Sequence, residues 1–325
     1  MAEKLKVVYI PDPENSNPWK EDVKEAVGRR HNLAIYDYKA PIAPQFQGVD
    51  VVIDLGGSWG TRAMADAANG SVKLWQILGN GFDHFDLEYW KSKKIPVANC
   101  PGFCSGIPLA ECAMMFMLML GRRWYETQGK LRHGVLYRPF GAELEGRRLG
   151  LIGFGASGRE LARRARAFGM KLSAIDIRDI PSEEQREFGL EFAGKPADMD
   201  RVIGEADYVS LHLHLNNETR QMMNEQKLRL MKPTAYLINV ARGALVDEQA
   251  LYAALVEGRI GGAGIDVFGK EPVDPDNPLF KLPNVVTTPH IAGVTDGTSR
   301  RRAATAAENC DRIAAGQTPL YRVDV

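Results

Sequence analysis

Short apolar runs alternate with stretches of helical spacing along the first hundred residues. The runs predict strands over 6–10, 33–36, 51–55, 74–78 and 96–99, with helices over 19–30, 63–69 and 86–93. A helix over 109–122 follows, and its segment 113–120, AMMFMLML, is apolar on every face. That segment is far shorter than the ~20 residues a bilayer span needs, so it reads as a buried helix. After a linker-like stretch over 130–146 the alternation resumes. Strands are expected at 148–152, 171–176, 208–214, 235–239, 262–266 and 285–287, helices at 159–168 and 299–315, and a tail over 320–325 that returns to the first unit. Strands alternating with helices imply parallel sheets covered on both faces. The expected fold is α/β, with two doubly wound, Rossmann-like parallel-sheet domains and a cleft between them.

Composition narrows the partners. The 325 residues carry 41 Lys plus Arg against 41 Asp plus Glu, so no basic surplus points to nucleic acid and no acidic tail to disorder. A small molecule becomes the expected ligand. The charged start passes straight into a strand without a signal-peptide core, which predicts a cytoplasmic protein away from membranes. The four cysteines, Cys100, Cys104, Cys112 and Cys310, show no paired CxxC motif and read as reduced core thiols. No metal site is expected.

The strand at 148–152 runs into Gly153-Phe-Gly-Ala-Ser-Gly158 and then into helical sequence. In a strand-turn-helix context this spacing fits a dinucleotide pyrophosphate: Gly153 for the tight turn, Gly155 for close backbone approach, Gly158 for helix packing. Ala156 and Ser157 open the helix whose N–H groups would face the phosphates. The next strand ends in Asp176, an acid at the distance expected for a ribose diol. A carboxylate there accepts hydrogen bonds from the diol and repels a 2′-phosphate, so NAD is expected over NADP. Arg178 reads as a solvated loop arginine, and the Ser157 hydroxyl either adds a pyrophosphate contact or fills space.

Three later strands end in groups with chemistry. Arg242, before Gly243, is either a surface arginine or a fork for a carboxylate. Asp266 and Glu271 are either solvated loop acids or partners of a neighbouring base and a nicotinamide amide. His290, after Pro289, is a candidate general acid, since imidazole titrates near neutrality and a carboxylate beside it stabilises the charged form. His212 and His214 alternate on the strand expected at 208–214 and read as packing or adenosine contacts; His31, His84 and His133 read as structural.

Gly146-Arg-Arg-Leu-Gly-Leu-Ile-Gly-Phe-Gly-Ala-Ser-Gly158, Asn239-Val-Ala-Arg-Gly-Ala-Leu-Val-Asp247, Gly264-Ile-Asp-Val-Phe-Gly-Lys-Glu-Pro272 and Thr288-Pro-His-Ile-Ala-Gly293 occur in this order. Together they resemble the D-isomer-specific 2-hydroxyacid dehydrogenases over nearly the whole chain. The resemblance implies an NAD-binding domain at 108–290 inserted into a discontinuous substrate domain at 1–107 and 291–325, and a homodimer. It implies Arg242, Glu271 and His290 as the catalytic set and Asp266 as the holder of the nicotinamide carboxamide. Gly57, Ser58 and Trp59, in the turn Gly56-Gly-Ser-Trp-Gly60, would bind substrate with Arg242. Glu271 argues against the formate dehydrogenase branch, which resembles this family but carries an amide there. The segment 101–111 holds one more residue than the usual form, and His214 stands where a proline is common. Without Arg or Lys on the carboxylate turn, and without a C-terminal regulatory domain, a non-phosphorylated 2-keto acid is expected rather than phosphoglycerate. A second implied role is an NADH-sensing, corepressor-like binding protein.

Overall fold

The computed structural model describes residues 3–14 and 19–325. Chain contacts divide it into two compact units, 1–104 with 295–325 and 105–294. The expected domain breaks were 107/108 and 290/291.

The first unit holds five strands: β1 (Lys6–Ile10), β2 (Asn32–Ile35), β3 (Val51–Asp54), β4 (Leu74–Ile77) and β5 (Val97–Ala98). All pairings are parallel, in the order β2-β1-β3-β4-β5, so the order reverses between β1 and β3. β3 and β4 are buried along their whole length, as a parallel sheet covered on both faces requires. One covering layer pairs the helix Trp19–Ala26 with Asp296–Ala314. The first of these stops short of the expected residue 30, at a turn through Gly28, where a Cβ would lie 2.6 Å from the Lys24 carbonyl oxygen. The tail does return to this unit: Ala98 bridges Arg322, and Val323 N donates to Val97 O at 2.9 Å.

The second unit holds seven strands: β6 (Arg148–Ile152), β7 (Lys171–Ile175), β8 (Leu190–Gly194), β9 (Tyr208–Leu211), β10 (Tyr236–Asn239), β11 (Gly262–Ile265) and β12 (Val285–Thr287). They too are all parallel, in the order β12-β11-β10-β9-β6-β7-β8, with the reversal between β9 and β6. β8 was not expected from sequence. Its residues LEFAG are all at least partly exposed, so no apolar run announces it. β9 stops at Leu211, so His212 and His214 are not strand residues and share no strand face. The helix Gly106–Gly121 begins earlier than expected because Pro108 sits in its first turn, where a missing N–H costs nothing. It packs on the helix Ala156–Ala167 and on β10, β11 and β12. It is not buried all round: Met115 and Leu118 remain more than a third exposed. The helix Trp124–Arg132 occupies the start of the stretch read as linker. Among the described residues no helix is long and apolar enough to cross a membrane.

Candidate active site

In open parallel sheets ligands lie beyond the carboxyl ends of strands, where the strand order reverses. In the second unit that place falls between β6 and β9, and the glycine turn follows β6. Gly153 has φ +96°, and a Cβ there would sit 2.4 Å from the His212 carbonyl oxygen. Only glycine allows the chain to turn so close to the end of β9. A Cβ on Gly158 would meet Gly153 O at 2.4 Å, whereas a Cβ on Gly155 would meet nothing within 4 Å. The turn is therefore tight on its protein side and open at its middle glycine. Gly155 is also the N-cap of the helix Ala156–Ala167, and no side chain caps that end. Uncapped N–H groups beside an open backbone form an anion cradle, which fits a pyrophosphate.

The neighbouring side chains are already partly committed. Ser157 Oγ lies 2.9 Å from His212 Nδ1, and His212 Nε2 lies 2.9 Å from Ser210 Oγ. Burial lowers the His212 pKa to about 4, so the ring is neutral and braces the turn between two hydroxyls. Asp176, just past β7, accepts from Phe154 N at 2.7 Å and from Arg178 N at 3.0 Å. Arg178 is not a solvated loop arginine. Its guanidinium donates to both oxygens of Glu184 at 2.8 and 2.7 Å and to Phe154 O at 2.9 Å.

Beyond the carboxyl ends of β10, β11 and β12 the structure gathers Arg242, Glu271 and His290. Asn239 ends β10 buried, accepts from Ala241 N at 3.1 Å and donates to Arg242 O at 2.9 Å, fixing the turn that carries Arg242. A Cβ on Gly243 would fall 1.9 Å from the Phe268 carbonyl carbon. Glycine after Arg242 thus lets this turn lie directly on the segment leading to Glu271. Glu271 Oε1 accepts from Phe268 N at 3.0 Å, and Oε2 lies 2.7 Å from His290 Nδ1. Burial pushes the Glu271 pKa up, but the His290 bond, the Phe268 N–H and the charges of His290 and Arg242 outweigh it, so the group stays below its ordinary value.

Asp266 is almost wholly buried, and it shapes the loop on which His290 stands. Its Oδ1 accepts from Thr288 Oγ1 at 2.6 Å and Ile291 N at 2.8 Å, and its Oδ2 accepts from Ala292 N at 2.9 Å. Its backbone oxygen accepts from His290 N at 2.8 Å, and His290 is held at φ +55°. A carboxylate has about four acceptor positions, so one on Oδ2 is left for another donor.

In the first unit the turn after β3 is built on a residue the sequence reading passed over. Asp54, fully buried, accepts from Gly60 N at 3.1 Å, Trp59 N at 3.3 Å and Trp75 Nε1 at 3.2 Å. Burial raises its pKa to about 7 despite those three donors. The N–H groups of Trp59 and Gly60 are therefore directed into the protein, while those of Gly57 and Ser58 make only long contacts, 3.4 and 3.5 Å, to backbone oxygens. Trp59 packs partly on the core of this unit. His84 Nε2 ties the turn from outside, 3.0 Å from Gly56 O and 3.1 Å from Ser58 Oγ. An acid ending the otherwise apolar run Val51-Val-Ile-Asp54 was the available signal for Asp54.

Residues 114–292 match the family model of the D-isomer specific 2-hydroxyacid dehydrogenase, NAD binding domain. A glyoxylate reductase of Korarchaeum cryptofilum is 39% identical over 246 residues, covering 74% of this chain and 72% of that protein. A hydroxypyruvate reductase of Thermotoga maritima is 37% identical over 257 residues, covering 78% and 81%. Among solved structures, a D-lactate dehydrogenase from Aquifex aeolicus complexed with NAD and lactic acid matches at TM-score 0.81 and 28% identity, over 98% of this chain and 99% of that one. Similar structures have been solved with NAD and with NADPH.

Proposed function

The chain belongs to the D-isomer specific 2-hydroxyacid dehydrogenase family, and on that premise we propose that it reduces a non-phosphorylated 2-keto acid to the D-2-hydroxy acid with NADH. One observation carries this reading: His290 Nδ1 is 2.7 Å from Glu271, whose carboxylate also feels the Arg242 charge. A proton donor, its orienting acid and a carboxylate-binding cation thus act on one another.

Arg242 binds the substrate carboxylate through its planar fork and polarises the adjacent carbonyl. Gly57, Ser58 and Trp59, in the turn after β3, are further substrate-binding candidates, and the N–H groups of the first two make only long contacts within the turn. The turn Gly153–Gly158, with its Ala156 and Ser157, would cradle the pyrophosphate, Asp176 would take the ribose hydroxyls, and the spare Oδ2 position of Asp266 would accept from the carboxamide. Bound NADH supplies a hydride to C2. His290, donating from Nε2, gives its proton to the carbonyl oxygen as that oxygen gains charge, and Glu271 stabilises the ring while it is charged. The reverse direction returns the proton to Nε2. Asp176 favours NAD over NADP by repelling a 2′-phosphate. The turn 56–60 carries neither Arg nor Lys, which disfavours a phosphorylated acid.

We further propose a homodimer formed through the second unit. Tyr137 and Phe140 are 94% and 86% exposed and line one surface depression with Trp124 and Leu118, so exposed apolar side chains gather there. The four unpaired thiols suit a reducing compartment, in keeping with a cytoplasmic enzyme. The test is NADH oxidation against glyoxylate, hydroxypyruvate, pyruvate, a branched 2-keto acid and phenylpyruvate. Turnover of at least one is expected; tight NADH binding with no turnover of any would overturn the proposal.

A further inference from the structure

Two cationic side chains stand beside the proposed adenosine ribose site, and one acid holds both. Arg178 is two residues past Asp176, at the place where an arginine accommodates a 2′-phosphate in NADP-binding proteins. Its guanidinium is held end-on by both oxygens of Glu184, at 2.8 and 2.7 Å, and steadied by Phe154 O. Arg159, in the second turn's reach of the cradle helix, donates to the same Glu184 Oε1 at 2.6 Å. Glu184 comes from a different element, the helix Ser182–Phe188, and its side chain is only 14% exposed against 35% and 40% for the arginines. The two guanidinium groups hold its carboxyl below the usual range.

We propose that Glu184 is a cofactor-selectivity residue: by engaging Arg178 and Arg159 it withholds both cations from a 2′-phosphate. Asp176 is then only half of the discrimination. This inference rests on the reading that the Gly153–Gly158 turn binds a dinucleotide with Asp176 at the ribose. It departs from that reading in assigning selectivity to a residue outside the fingerprint. Bidentate pairing of this kind is geometrically demanding, so an uncharged amide at 184 weakens it and frees Arg178 to turn toward solvent.

The experiment is the dissociation constants of NADH and NADPH, followed by cofactor fluorescence, for the wild type, Glu184→Gln, Arg178→Gln and the double variant. Glu184→Gln is expected to shift the NADPH-to-NADH preference roughly 5-fold toward NADPH, the upper end of the size expected for one released ion pair. Arg178→Gln alone is expected to leave the wild-type preference in place, because that guanidinium is already engaged, and in the double variant the shift is expected to shrink to the part that Arg159 carries. Equal weakening of both cofactors by Glu184→Gln, or a shift that is undiminished without Arg178, overturns the proposal. If Glu184→Gln does not fold, an altered preference in Arg178→Gln alone overturns it and an unchanged one supports it. A wild type that binds neither cofactor overturns the dinucleotide reading itself, a result distinct from NADH binding with an unmoved preference.

Discussion

Asp54 shows how a single buried carboxyl sets both a turn and a pH dependence. Its pKa rises in the folded protein from 3.8 to about 7, so between those values the folded state binds a proton that the unfolded state has lost. Stability therefore falls as pH rises through that window and is insensitive to this group above about pH 7. Three pKa units correspond to about 4 kcal/mol across the window. Asp54→Asn, which keeps the shape without the charge, is expected to flatten this slope in denaturant titrations from pH 4 to 7. An unchanged slope in that variant would mean that other groups cause it. Sequence exposed this residue only as an acid ending an apolar strand. That its oxygens consume the N–H groups of Trp59 and Gly60 depends on the path of the turn, which no spacing rule describes. Arg178 reads as solvated from sequence for a similar reason: its partner Glu184 sits on the next helix.

At the scale of elements, the loops that carry candidate residues in the two units share one device. β3 and β10 end in Asp54 and Asn239, and β7 and β11 are followed at once by Asp176 and Asp266, and each of the four side chains accepts N–H groups from loop backbone nearby. A short polar residue at the carboxyl end of a buried strand satisfies the turn that follows and so fixes what the turn carries. The strands themselves were legible because their apolar runs are continuous, and the glycine turn because its spacing is dictated by backbone contact. β8 and the helix Trp124–Arg132 were not, since both lack a buried apolar stripe. The close approach of the Arg242 turn to Phe268 also escaped the sequence, although Gly243 was its only possible sign. Gly243→Ala must push these two segments apart, at a cost of about 2 kcal/mol in stability. It is expected to lower kcat/KM while leaving NADH affinity near that of the wild type. A variant with full activity would show that the Arg242 turn need not lie against the Glu271 segment.

For the molecule as a whole, the two parallel sheets place their reversal points beside the turns that carry the candidate chemistry, Gly56–Gly60 in one unit and Gly153–Gly158 in the other. The apolar surface around Tyr137 and Phe140 predicts a dimer in solution. Light scattering is expected to give twice the 36.0 kDa chain mass, and Tyr137→Glu with Phe140→Glu a lower mass at micromolar concentration. A wild type that stays at single-chain mass at high concentration would contradict the homodimer. The proposed step at the centre of the reaction is protonation of a 2-keto acid by His290, steadied by Glu271. Its most direct test is kcat/KM for glyoxylate with NADH in the wild type and in His290→Ala, with NADH affinity measured on both. A fall of roughly 100-fold or more in kcat/KM is expected, with NADH affinity retained. Comparable turnover in the two proteins would contradict it.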